Sequence, residues 1–206
     1  GRILQDLEQP DAALAMYALV LDGGADPTSR CFRESLLAAA RLHDELNQPA
    51  QADARYARLV EQCADHPQRA DAMYEWSWVL DELEQHDKAT AVLEQLQKEF
   101  PRSDRGVEAA ARLAQRAFDA RDCAAAQRWI DVVLDAGARP TIGPHALRLR
   151  WQIAAIENRW DDVQSAAEQL REIYPDSPLG RMADFWIAEA AYRQGEHDTA
   201  GERFEK

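Results

Sequence analysis

The stretch Ala183-Asp184-Phe185-Trp186-Ile187-Ala188-Glu189-Ala190-Ala191-Tyr192-Arg193-Gln194-Gly195-Glu196-His197-Asp198-Thr199-Ala200 reads as one helix, a glycine turn and the start of a second helix. Ser177-Pro178 just before it reads as a cap followed by a first-turn proline, which opens a helix over roughly 179–194. Gly195 ends that helix, since only glycine enters the left-handed region without steric cost. The second helix runs from 197 and turns Ala200 inward.

Ala200 is the last of a series. Ala52, Ala89, Ala126, Val163 and Ala200 follow one another at intervals of 37 residues. An earlier copy has its anchor at Ala13, 39 residues before Ala52, and the loop Asp22 to Pro27 holds the two extra residues. Four residues after each anchor come Tyr17, Tyr56, Leu93, Ile130, Ala167 and Phe204, and seven after come Val20, Leu59, Leu96, Val133 and Leu170. That spacing is one face of a helix. Twelve before the anchors come Ala40, Ser77, Ala114, Trp151 and Ala188, small except for Trp151, as two closely crossing helices require.

Each unit is therefore two helices. Helix A is expected over roughly 30–46, 68–84, 104–120, 144–158 and 179–194, and helix B over 49–63, 87–99, 123–135, 160–173 and from 197 onward. Pro49 suits a first turn, while Asp87, Asp122 and Asp161 stand where free N–H groups need acceptors. A helix pair cannot bury its apolar face alone, but stacked copies share a continuous core and curve as they stack. The expected architecture is all-α, a right-handed α-solenoid of period 37 forming one superhelical domain over 1–206. Its units are 1–26 (partial), 27–66, 67–103, 104–140, 141–177 and 178–206 (partial). Gly1-Arg2 without a methionine, and a pattern cut at both ends, point to a piece of a longer chain or to ends that pair with another chain.

The opening stretch resembles the tetratricopeptide repeat (TPR) family. It carries the family's alanine, apolar-small pair, turn glycine and Gly-Asp-Tyr-x-x-Ala step, with Glu196 and His197 in the acidic and aromatic places. Arg121-Asp122-Cys123-Ala124-Ala125-Ala126 repeats the step with Arg121 in place of glycine. The family unit is about 34 residues, so the linkers here are longer. Two of them, Phe100-Pro101-Arg102-Ser103 and Tyr174-Pro175-Asp176-Ser177, resemble linkers of bacterial envelope TPR proteins of the BamD/CpoB type. That likeness implies a bacterial periplasmic or cell-envelope setting, although nothing in the composition separates this from the cytoplasm.

The composition agrees with closely packed helices: 46% of residues are apolar, many of them alanine. A formal charge of -13 repels a phosphate backbone and an anionic membrane surface, so neither nucleic acid nor membrane insertion is expected. The same acidity suits a basic partner. Cys31, Cys63 and Cys123 make no disulfide framework and read as small buried apolar residues.

In the family the A helices line a concave face that holds a peptide or partner helix. Transferring those positions gives three rows: Leu37, Tyr74, Ala111, Arg148 and Phe185; Arg41, Trp78, Gln115, Gln152 and Glu189; Asp44, Asp81, Phe118, Ala155 and Tyr192. The resemblance thus implies partner contacts through Arg41, Tyr74, Trp78, Gln115, Phe118, Arg148, Gln152, Phe185, Glu189 and Tyr192. Tyr74, Trp78 and Phe118 are candidates for one aromatic patch, and Phe185 and Tyr192 for another; packing against the neighbouring helix A is the alternative for each. Glu45, Glu82 and Asp119 fall near the ends of three successive A helices, where the carbonyl dipoles already disfavour negative charge. They form a candidate acidic stripe for a basic segment. Trp76, Trp129, Trp151, Trp160 and Trp186 read as inter-helix packing.

Catalysis has little support. His43, His66, His86, His145 and His197 show no metal-ligand spacing, and there is neither a phosphate-binding glycine loop nor a nucleophile elbow. No catalytic residue, metal site or cofactor is expected. The leading expectation is a protein-binding scaffold or adaptor. The alternatives are a regulatory or oligomerisation module of a larger enzyme or transport machine, self-associating through open solenoid ends, and a groove for a glycan or other small ligand in which aromatics stack on sugar rings.

Overall fold

The computed structural model describes residues 9–204. Those residues form eleven helices and no strand. The chain divides into two compact units, Gly1–Pro101 and Arg102–Lys206.

The first unit holds α1 (Pro10–Asp22), α2 (Arg30–Glu45), α3 (Pro49–Gln62), α4 (Arg69–Glu82) and α5 (His86–Glu99), each packed on its neighbour in the chain. The second holds α6 (Asp104–Asp119), α7 (Cys123–Asp135), α8 (Gly143–Ile156), α9 (Trp160–Ile173), α10 (Gly180–Arg193) and α11 (His197–Phe204). Here too neighbours pack, and α6 also touches α8. The B helices from α3 to α11 begin at Pro49, His86, Cys123, Trp160 and His197, each 37 residues after the last.

The turn from A to B has one geometry throughout. Asn47, Glu84, Arg121, Asn158 and Gly195 all lie in the left-handed region, with φ of 55°, 58°, 64°, 57° and 85°. In each turn that residue's N–H reaches back three residues and the next N–H reaches back five. Examples are Asn47 to Asp44 at 2.8 Å with Gln48 to His43 at 2.9 Å, and Arg121 to Phe118 at 3.0 Å with Asp122 to Ala117 at 2.9 Å. This is the Schellman closure, which satisfies helix-end carbonyls that would otherwise lack donors. Only the last turn uses glycine.

Helix starts vary more. Ser29 accepts the N–H of Phe32, Ser103 that of Gly106, and Asp122 that of Ala125. Pro49 takes the first turn of α3. Asp87 and Asp161 sit inside the first turns of α5 and α9 instead of capping them. Ser177-Pro178 precedes α10 by more than expected: that helix starts at Gly180, and Ser177 Oγ accepts from Leu179 N–H at 3.3 Å.

The core follows the anchors. Ala13, Ala52, Ala89, Ala126, Val163 and Ala200 are buried, as is the whole crossing row Ala40, Ser77, Ala114, Trp151 and Ala188. Trp151 fits among the small residues by lying against Trp186, ring centroids 5.8 Å apart. It is the one tryptophan fully buried; Trp76, Trp129, Trp160 and Trp186 are half-buried, with Trp76 Nε1 donating to Asp53 at 2.7 Å. Phe204 departs from its row and is exposed, where Tyr17, Tyr56, Leu93, Ile130 and Ala167 are buried. The three thiols are free, and only Cys63 is buried; Cys31 is exposed and Cys123 half-buried, which corrects the expectation of three buried cysteines.

Candidate functional site

In the first unit the candidate face is built on α2 and α4. Their spacing puts Tyr74 and Trp78 one turn apart on the same side of α4. The two rings meet edge to face with centroids 6.4 Å apart, and Trp78 is 52% exposed. Arg41 projects from α2 toward this helix, but its guanidinium is already engaged: Nε and one terminal nitrogen donate to the two carboxylate oxygens of Glu75, each at 2.8 Å. Tyr56 Oη donates to the same carboxylate at 3.1 Å. A bidentate pair across two helices holds Arg41 half-buried, so this partner-contact candidate is already engaged within the chain.

The carboxylates of this face act on one another. Asp44 is half-buried, and burial, then Glu82, Glu75 and Glu45, push its carboxyl above the usual range. Glu45 and Glu82 themselves are exposed. Negative charge is thus concentrated beside the Tyr74–Trp78 ledge.

The second unit carries the remaining candidates on α6, α8 and α10. Arg148 donates to Gln152 Oε1 at 2.8 Å and to Gln115 Oε1 at 3.4 Å, and Gln115 donates to Asp119 at 2.8 Å. One polar chain therefore joins α6 to α8. Phe118 is half-buried and packs on the core formed by Val107, Ala110, Ala114 and Ile130. Its outer edge helps line a depression of about 370 Å³ with Asp119, Arg121, Cys123 and Ile156. On α10, Phe185 and Tyr192 are each 53% exposed. Phe185 meets Trp186 and Phe204, whereas Tyr192 meets His197, so the two rings have different partners. Glu189 accepts from Arg193 Nε at 2.7 Å.

One residue at these faces escaped the reading of the sequence. Glu75, which holds Arg41, lies outside the three rows. Exposed Ile156 replaces the acids Glu45, Glu82 and Asp119 in its register. No group of His, Cys, Asp and Glu suited to a metal ion occurs among the described residues. None of the helices there is long and apolar enough to cross a membrane.

Helix pairs with one turn geometry and one buried anchor register define an all-α helical-repeat protein. Residues 34–66 and 71–103 match the tetratricopeptide repeat model, so two repeats of that family lie in the first half of the chain. Among solved structures, a tetratricopeptide repeat protein from Parabacteroides merdae is similar over 99% of this chain and 74% of its own, with 13% identity and a TM-score of 0.63. PilF of Pseudomonas aeruginosa shares 18% identity over 86% of this chain and 74% of its own, with a TM-score of 0.58. PilW, described as a widely conserved type IV pilus biogenesis factor, shares 20% over 86% of this chain and 76% of its own, with a TM-score of 0.55. No curated protein sequence matches. These likenesses concern the fold. Repeats of this family generally mediate protein–protein interaction and serve as non-catalytic scaffolds.

Proposed function

We propose that the chain is an adaptor that grips a segment of another protein along its A helices, in bacterial envelope assembly. The observation that carries this reading is the exposure of large aromatic rings on A helices: Trp78 in the first unit, Phe185 and Tyr192 in the second. Aromatic side chains of this kind dominate binding energy where partners meet. The acids Asp44, Glu45 and Glu82 beside Trp78 favour a partner segment with Lys or Arg at that point. The envelope setting rests on the aromatic-Pro-x-Ser linkers and on the pilus-biogenesis description of one structural neighbour.

Affinity capture from an envelope fraction, run in parallel with wild type, Trp78→Ala and Phe185→Ala, tests the proposal. The expected outcome is a protein retained by wild type and lost by the variants while their melting temperatures hold. Retention by both variants sinks the aromatic-face assignment. Self-association is a second reading, favoured by the neighbouring exposed side chains Met182, Phe185 and Phe204. A single monomeric species in sedimentation at ~100 μM, well above ordinary interface Kd values, removes it.

A further inference from the structure

His66 lies in the linker between α3 and α4, at the register of three serines: Ser29 is 37 residues before it, Ser103 is 37 after it and Ser177 is 74 beyond Ser103. Those serines accept backbone N–H groups from the chain entering the next helix. His66 does as Ser177 does, with a ring nitrogen: both accept from the residue just before the helix, whereas Ser29 and Ser103 accept from its third residue. The His66 Nδ1 accepts the N–H of Gln68 at 3.0 Å, and Gln68, the residue before α4, has no side-chain cap of its own. The side chain is 6% exposed. The main chain of His66 is tied in as well, since its N–H donates to Cys63 O and its carbonyl accepts from Arg69 N–H.

A hydroxyl in this place has no titration near neutrality, whereas an imidazole does. Accepting at Nδ1 requires a neutral ring with its proton on Nε2. A second proton removes the acceptor and puts a charge where almost no water reaches. We propose that His66 is an acid-sensitive latch on α4: neutral, it caps the helix; protonated, it releases the helix start and loosens the first unit.

The surroundings support this. Burial is the largest influence and holds the ring's pKa below its ordinary value. The charged neighbours divide. Arg33 and Arg41 on α2 oppose protonation, while Glu34 on α2 and Asp65 in the linker favour it. Arg69, the first residue of α4, is committed to the Glu99 carboxylate and to Val60 O. With the folded pKa below the unfolded value of about 6.5, the unfolded chain binds the proton more readily. The latch's contribution is complete above that value and is lost as pH falls from it toward the folded pKa. Within that window the folded-to-unfolded ratio falls by up to about tenfold per pH unit. Since α4 carries Tyr74 and Trp78, weaker partner retention in mild acid follows as well, and that consequence alone rests on the proposed function.

The test needs no partner. Thermal melts of wild type and His66→Ser are compared from pH 7.5 to 5.5, and the His66 ring is titrated by NMR. Serine keeps an acceptor at this register but does not titrate. The expected result is a His66 pKa below 6.5 and a wild-type melting temperature that falls by a few degrees, up to about 5 °C, relative to the variant over that range. Parallel melting curves, or a ring pKa at or above 6.5, overturn the proposal. If His66→Ser does not fold, His66→Asn replaces it, and the wild-type ring titration decides on its own.

Discussion

The phenol oxygen of Tyr174 fills the space that a side chain at Gly143 would need: a Cβ on Gly143 would stand 2.0 Å from that oxygen and 2.5 Å from the ring carbon bearing it. The same oxygen accepts the N–H of Arg139 at 3.1 Å, so the ring closes the linker ahead of α8 as well as its start. Gly143→Ala must push the phenol off this bond. We expect a loss of about 1–3 kcal/mol, the usual scale of overpacking, despite the better helix propensity of alanine. In a Tyr174→Ala background the same change should cost nothing further, because the atoms it meets are gone. Urea unfolding of the two single variants and the double variant measures this. Additive losses would show that the Gly143 strain has another source.

Four of the five A-to-B turns place a non-glycine residue at positive φ. Asparagine tolerates this at 47 and 158, but Glu84 and Arg121 carry the steric cost of the left-handed region, about 1–2 kcal/mol each. Part of that is offset because glycine loosens the unfolded chain. Glu84→Gly and Arg121→Gly should therefore each stabilise by about 0.5–1 kcal/mol, and Gly195→Ala should destabilise by about 1 kcal/mol. Equal melting temperatures across all three variants would show that these turns relax at no cost.

Much of the fold was legible because helical burial is periodic and this chain repeats its period. The anchors, the crossing row and the turn positions all fall where spacing puts them, and helix ends lie within two residues of expectation. What spacing cannot carry is pairing between side chains of different helices. Arg41 stands in an exposed register, yet Glu75, 34 residues away, takes it out of solvent. Trp151 breaks the small-residue rule without disrupting the crossing, because Trp186 lies beside it. His66 looked like one more histidine, although its distance from Ser29 and Ser103 was a usable signal. Phe204 sits in a buried register but is exposed, since burial depends on which element follows and not on the residue alone.

Trp151 carries its own prediction. It is fully buried, and its Nε1–H has no acceptor. Removing the ring should cost about 3–5 kcal/mol, the range for aromatic-to-alanine changes in a core. Phenylalanine gives up ring volume but also removes a buried donor without a partner, which by itself costs about 1–3 kcal/mol. Trp151→Phe should therefore lose much less than Trp151→Ala, by at least about 2 kcal/mol. Chemical denaturation compares them directly, and equal losses would mean that the N–H finds an acceptor in solution.

The pair Arg41–Glu75 decides whether the first-unit face is held from within. Glu75 accepts two hydrogen bonds from Arg41 and one from Tyr56, with Asp44 close enough to be affected by its charge. Arg41→Ala leaves that carboxylate with Tyr56 alone, among other acids. A buried pair broken from one side costs several kcal/mol, but these side chains are 35% and 27% exposed, so water screens part of the loss. We expect about 1–3 kcal/mol. Arg41→Lys should recover under half of it, because an ammonium cannot match both carboxylate oxygens. The pH dependence has a definite sign. An ion pair needs a charged carboxylate, so the advantage of wild type over the variant is present at pH 7 and shrinks in acid. Melting curves at pH 7 and pH 4 should therefore converge for wild type and Arg41→Ala. A gap that stays constant between the two pH values would mean that Arg41 acts through packing of its aliphatic stem and not through the Glu75 charge.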